Sequence, residues 1–235
     1  KKKKKNVIEI GPGKGALTEE ILKKNPKSLT LIEKDNNFFL NLKEKYSKNK
    51  LVNVYNEDIL RFDIEKLDYK NSIIFGNLPY NISSQILIKF IKVKKWPPKF
   101  TDIIFMFQKE LGEKIIASYP SINYGRLSII TKYRLNVLIK FLVKPNCFFP
   151  KPKVTSMVIH FQTIKKNLFG ITNLNNLEKV TNILFSNKRK MINKNLKKIL
   201  NLNKIKKISG LKLNHRPSEI KPEIYYKITE LYEKI

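Results

Sequence analysis

From residue 6 to residue 107 the chain alternates short apolar runs with stretches of helical spacing, and this alternation restricts the fold more than any other feature. NVIEI (6–10) precedes a helical pattern near 15–24, and LTLIE (29–33) precedes one near 36–47. LVNVY (51–55) and SIIFG (72–76) come before a helical pattern near 84–93, and DIIFMF (102–107) closes the series. Continuous β-branched and aromatic runs bounded by helices are strands buried on both faces, so the spacing predicts a parallel, doubly wound α/β sheet. YGRLSIITKYR (124–134) reads as a helix. NVLIKFLV (136–143) and VTSMVIHF (154–161), on either side of KPNCFFPKPK, read as paired strands added antiparallel at the sheet edge. Beyond residue 164 the strand pattern stops, and LEKVTNILFSNKRKMINKNLKKIL places Val180, Leu184, Met191 and Ile199 at helical spacing, interrupted at Asn195. The expectation is a sheet domain over 1–163 and a small all-helical domain over 164–235.

Charge narrows the class of partner. Against 19 Asp and Glu stand 48 Lys and Arg, a net +29 over 235 residues, and such an excess builds a positive surface potential that draws a polyanion, nucleic acid first. Codon bias in an AT-rich genome is the competing source of the lysines. Cys147 is the only cysteine, which rules out an internal disulfide and a thiolate metal cluster. No apolar run approaches the roughly 18 residues of a membrane span, and the opening KKKKK leads into a strand pattern instead of a signal-peptide apolar region. The chain reads as soluble, with no membrane partner.

The first strand runs into Gly11-Pro12-Gly13-Lys14-Gly15-Ala16, where glycines let the backbone turn sharply and approach a ligand that a Cβ would block. Glu33 closes the second strand, placed to accept from two ribose hydroxyls. Asp58, after the third, is placed to accept from an adenine amine. Both features suit either a nicotinamide dinucleotide or a methyl-donating adenosine cofactor. The two readings part at the fourth strand, which ends in Asn77-Leu78-Pro79-Tyr80. A dehydrogenase has no use for that turn, whereas a methyltransferase acting on an exocyclic amine does.

An adenine N6 is a weak nucleophile because its lone pair is delocalised into the ring. Two acceptors on its N–H bonds hold the nitrogen closer to tetrahedral and aim the lone pair at a sulfonium methyl. The Asn77 side-chain oxygen and the Leu78 carbonyl form such a pair, Pro79 fixes the turn without an N–H to compete, and Tyr80 offers a face for the extruded base. This chemistry needs no metal, and His160 and His215, far from the turn in sequence, read as structural or surface residues.

In order along the chain, EIGPGKGALT, LIEKD, NEDIL, FGNLPYNISSQI, FMFQKE, YGRLSI and FFPKPKVTSMV resemble the ribosomal RNA adenine N6,N6-dimethyltransferases, and NKRKMINKNL resembles the start of that family's helical appendage. The resemblance implies a Rossmann-like class I methyltransferase sheet with a helical carboxyl-terminal domain that dimethylates adenines of small-subunit ribosomal RNA, in the subunit or its precursor. It implies S-adenosylmethionine held by Gly11, Gly13, Glu33, Asp58 and Asn77, with Asn77, Leu78, Pro79 and Tyr80 at the target amine and Phe148 stacked on the base opposite Tyr80. Core packing competes for Phe148 and Phe149, and one of the two is expected to take it.

Lys188, Arg189, Lys190, Lys194 and Lys197, joined by Lys198, are expected to form a cationic helical stripe along RNA, with Met191 and Ile192 turned to the core. Other readings are a resistance-type methylase of large-subunit RNA, a nicotinamide-dependent dehydrogenase and a nonenzymatic assembly partner, the last opposed by the intact Asn-Leu-Pro-Tyr. A monomer is expected, cytoplasmic in a bacterium or in an organelle matrix in a eukaryote. The family also carries a cofactor-covering Gln-Asn-Phe-Leu stretch before the first strand, where this sequence has Lys1 to Lys5. The expectation is either that this segment has been removed or is disordered, or that cofactor binding is weak.

Overall fold

The computed structural model describes residues 4–66, 70–166 and 168–234. Seven strands form one sheet: β1 (Asn6–Ile10), β2 (Ser28–Glu33), β3 (Val52–Asn56), β4 (Ser72–Asn77), β5 (Phe100–Gln108), β6 (Leu135–Val143) and β7 (Ser156–Thr163). Their order is β3-β2-β1-β4-β5-β7-β6. The first five pair in parallel, while β7 runs antiparallel to both β5 and β6. The predicted doubly wound sheet with an antiparallel edge is therefore the observed one.

The sheet is held by its apolar faces. Helices α1 (Ala16–Lys23) and α2 (Asn36–Lys45) follow β1 and β2, and their Ile21 and Leu42 pack with Val7, Leu29 and Leu31 in one buried cluster. Phe90, on α3 (Ser83–Ile91), makes edge contacts with Phe100 and Phe105 of β5, and Phe105 and Phe161 both make edge contacts with Phe107. The short α4 (Lys109–Ile116) continues directly from β5. His160 bonds Asp102 at 2.8 Å, near the amino end of β5 and away from the strand ends that carry the motifs, in keeping with a structural role.

A boundary between two compact units falls at 163/164, but Glu113–Arg134 groups with the segment after it. One comprises Lys1–Gly112 with Leu135–Thr163, and the other comprises Glu113–Arg134 with Ile164–Ile235. The second unit thus includes α5 (Arg126–Arg134) along with α6 (Leu174–Phe185), α7 (Asn193–Lys197), α8 (Leu202–Lys206) and α9 (Pro222–Tyr232). The reason is packing: Tyr226 of α9 donates its hydroxyl to the Ile129 carbonyl at 2.9 Å and sets its ring 5.0 Å from that of Tyr133, both on α5. Tyr124, just before α5, donates to the Ile220 carbonyl at 2.9 Å. Buried hydroxyls need partners, and these two bonds join the C-terminal segment to one that sequence order assigns to the sheet.

A second correction concerns the basic segment. The predicted helix through Lys188–Ile192 is a turn between α6 and α7, closed by the Lys190 N–H on the Asn187 carbonyl at 3.0 Å. Ile192 is fully buried, with its N–H donating to the His215 carbonyl, while Met191 points outward at 54% exposure. Asn195, read as a break in the apolar pattern, is buried and donates to the Ser186 hydroxyl at 3.1 Å.

Candidate functional site

The glycine loop after β1 takes backbone conformations that L side chains avoid. Gly11, Gly13 and Gly15 have φ of 63°, 56° and 83°. A Cβ added to Gly11 or Gly13 would meet no atom within 4 Å, so the space in front of these two is open and their glycine character follows from backbone geometry. The Gly11 N–H donates to the Ile32 carbonyl at 2.9 Å, tying the loop to the end of β2.

Glu33, at that end of β2, is buried and held from two sides. Its Oε2 accepts from the Gly13 N–H and its Oε1 from the Asp35 N–H, each at 2.9 Å. A carboxylate offers about four lone-pair sites, so both oxygens keep capacity for further donors such as a pair of ribose hydroxyls. Asp58, just beyond β3, is set differently. Its Oδ1 accepts from the Leu60 N–H at 2.9 Å, and its Oδ2 pairs with the exposed Lys34 ammonium at 2.9 Å. The Lys34 ammonium, helped by the Leu60 N–H, holds the Asp58 carboxyl below the usual carboxylate range.

Behind the loop stands a group that sequence reading passed over. Glu9, in the middle of β1, is buried and accepts from the Thr18 hydroxyl of α1 at 2.7 Å. Burial pushes its carboxyl up to about 7, with repulsion from Glu33 adding to the rise and the Thr18 bond opposing it. The available signal was an acid inside an otherwise apolar strand, a placement that is rare without a partner.

The fourth strand brings the acceptor turn beside this loop. Ile10 is in register with Gly76, so Gly11 and Asn77 leave adjacent strands about 4.8 Å apart at the same edge. Asn77 is exposed, and among the described residues its carboxamide makes no hydrogen bond. The Leu78 side chain is buried, and a Cβ on Gly76 would lie 2.7 Å from its Cδ2, so Leu78 packs where a side chain at 76 would stand. Tyr80 is half-buried, with its hydroxyl 2.6 Å from that of Ser156 at the start of β7. The Ser83 hydroxyl donates to the Tyr80 carbonyl at 3.1 Å and starts α3.

The loop between β6 and β7 meets the same edge, since Ser156 is in register with both Gln108 and Val143. Within it Phe148 is half-buried and its N–H donates to the Pro145 carbonyl at 3.2 Å, whereas Phe149 is completely exposed. Neither ring lies in the buried core, so the core packing expected of one of the two is not observed.

Comparison with known proteins decides the family. The family model for ribosomal RNA adenine dimethylase matches residues 1–234. The chain belongs to the ribosomal RNA adenine dimethylase family. Ribosomal RNA small subunit methyltransferase A of Pelagibacter ubique (strain HTCC1062) is 40% identical over 232 residues, which are 98% of this chain and 87% of that protein. The protein of the same name from Wolbachia sp. subsp. Brugia malayi (strain TRS) is 41% identical over 191 residues, 80% of this chain and 70% of that one. Among solved structures, a dimethyladenosine transferase from Plasmodium falciparum superposes with a TM-score of 0.79 at 25% identity, covering 95% of this chain and 88% of that one. The 23S rRNA methyltransferase ErmE shares the fold, with a TM-score of 0.71 at 22% identity over 98% of this chain and 91% of that one.

The adenine dimethylase is thus a methyltransferase with the class I fold, and its family implies S-adenosylmethionine as donor. The open loop at Gly11 and Gly13 and the twice-anchored carboxylate of Glu33 fit the adenosyl part of that molecule. The basic residues Lys188, Arg189, Lys190, Lys194 and Lys197 are all exposed, but they are spread over a turn and a short helix and do not form one helical stripe.

Proposed function

We propose that this adenine dimethylase transfers two methyl groups from S-adenosylmethionine to N6 of adenines in small-subunit ribosomal RNA. The observation that carries the reading is the pairing of β1 with β4, which sets the glycine loop and the Asn77–Tyr80 turn side by side. S-adenosylmethionine supplies an electrophilic methyl on its sulfonium. Gly11 and Gly13 give it room, Glu33 takes the ribose hydroxyls and Asp58 takes the adenine amine of the cofactor.

The Asn77 carboxamide oxygen and the Leu78 carbonyl accept the two N–H bonds of the target amine. This orients its lone pair toward the cofactor side and leaves the same acceptors to take part in later proton loss. Pro79 keeps the turn free of a competing donor. Tyr80 and Phe148 sandwich the extruded base, a contact worth about 1 to 3 kcal/mol per stacked face. Asn77 touches both cofactor and base, so it couples their positions.

Lys188, Arg189, Lys190, Lys194 and Lys197 hold RNA through its phosphates, which sets affinity without reading sequence. Reversing Lys190, Lys194 and Lys197 to Glu then flattens the salt dependence of particle binding, by about 0.7 to 0.9 in log–log slope per lost contact, while cofactor affinity stays unchanged. An unchanged slope returns these lysines to a solvated face. The function itself is tested by mass spectrometry of ribosomal RNA from cells with and without the protein: N6,N6-dimethyladenine should disappear from small-subunit RNA. Its loss from large-subunit RNA alone would transfer the assignment to the resistance-type reaction.

A further inference from the structure

The loop that joins β6 to β7 carries more than the half-buried Phe148. Phe149 is completely exposed, with a relative accessibility of 102%, and it stands between Lys144 on one side and Lys151 and Lys153 on the other, all three exposed. No acidic residue occurs between Val143 and Ser156. Ile122 and Leu168 are almost equally exposed, but they lack a π face and belong to the second compact unit. Phe149 belongs to the loop whose ends, Val143 and Ser156, are in register with each other, with Ser156 also in register with Gln108 at the end of β5. Asn77 pairs with Met106 and Met106 with Val158, so the start of β7 lies two strands, about 10 Å, from the acceptor turn. The bond from the Tyr80 hydroxyl to that of Ser156, at 2.6 Å, ties the base-stacking ring to the exit of this same loop.

An exposed aromatic ring flanked by ammonium groups, with no opposing carboxylate, is the arrangement by which proteins hold unpaired nucleotides: the ring stacks on a base and the lysines follow the backbone. We infer that Phe149 stacks on the nucleotide adjoining the target adenine and, with Lys151 and Lys153, holds the RNA strand open while that adenine occupies the site. The inference rests on the RNA-methylating reading above. It assigns Phe149 a positioning role distinct from that of Phe148, which is half-buried. The ligand is a single-stranded purine or pyrimidine nucleotide beside the methylated base, bound by its face and so with little sequence preference.

The test uses the full chain, S-adenosylmethionine and small ribosomal subunits from cells lacking this methylation, with Phe149→Ala, Phe149→Leu and Phe149→Tyr compared. The expected result is a KM for the subunit raised about tenfold in the Ala and Leu variants, with kcat and cofactor Kd at parental values and the Tyr variant restored. The salt slope of subunit binding stays parental in all three, because no phosphate contact is removed. A parental KM in Phe149→Ala overturns the inference, and so does rescue by Leu equal to that by Tyr, which would make the ring an apolar filler. A fall in kcat at constant KM overturns it too, because Phe149 would then act on the target base. If the unsubstituted protein leaves small-subunit RNA unmethylated, the underlying reading fails, and that outcome is visible before any variant is examined.

Discussion

The cofactor side and the base side of one sheet edge are built to different standards of readiness. Around the glycine loop three acidic groups already have donors: Glu33 holds two backbone N–H groups, Asp58 a backbone N–H and Lys34, and Glu9 the Thr18 hydroxyl. One strand away, Asn77 presents a carboxamide with no partner among the described residues, and Phe149 is bare. The first side is set before any ligand arrives and the second is completed by one. In the proposed reading, methyl transfer depends on the acceptors of the sparse side and affinity for the methyl donor on the crowded one.

The largest effect should come from the sparse side. Asn77→Ala is expected to lower kcat by about 10²- to 10³-fold, the loss typical of one preorganised electrostatic contact, with cofactor binding reduced far less. Single-turnover rates together with calorimetric titration separate the two. A variant that turns over at near the parental rate would remove Asn77 from the mechanism.

Glu9 comes next, and its sign follows from protonation. Its native pKa of about 7 lies above the ordinary carboxyl value of 4.5, so the native state holds a proton that the unfolded chain has released between those values. Stability therefore falls as pH rises from about 4.5 to 7 and stays low above that, by about 3 kcal/mol in all. Glu9→Gln should remove this dependence and be more stable than the parent at pH 8, as read from urea midpoints at pH 5 and 8. Parallel pH profiles for the two proteins would show that Glu9 is ionised in its site throughout.

Glu33→Ala should weaken S-adenosylmethionine by about 10- to 100-fold, because charge-assisted bonds of about 1.5 to 3 kcal/mol are lost. Unaltered affinity in a titration would break the contrast between the two sides. The smallest effect is expected at Lys34→Met, where an ion pair on an exposed lysine contributes less than about 1 kcal/mol. Cofactor affinity should rise by a few-fold at most as Asp58 is released, and a fall would make Lys34 itself a cofactor contact.

The sheet was legible because buried parallel strands leave continuous apolar runs. The Asn-Leu-Pro-Tyr turn was legible because its residue types fit no purely structural need at a strand end. Three things were not. Helix α5 follows the sheet strands in the chain but meets α9 through Tyr226, and nothing in a local pattern announces a partner almost a hundred residues away. The turn at Lys188–Met191 interrupts residues whose spacing suits a helix, because Ile192 is drawn inward by the His215 carbonyl. Glu9 was read as part of a strand because its partner, Thr18, lies across the loop on α1.

Along the chain α5 precedes β6 and β7 while the other helices of its unit follow them, and this sets an order of emergence during synthesis. A chain leaves the ribosome from its amino end at about 5 to 20 residues per second. Helix α5 emerges before β6 and β7, and its Ile129 carbonyl and Tyr133 ring wait for Tyr226 of α9. The newborn protein therefore carries α5 without its partner Tyr226 through several seconds of translation. A fragment begun at Ile164 would inherit the complementary fault, with the Tyr226 hydroxyl deprived of the Ile129 carbonyl.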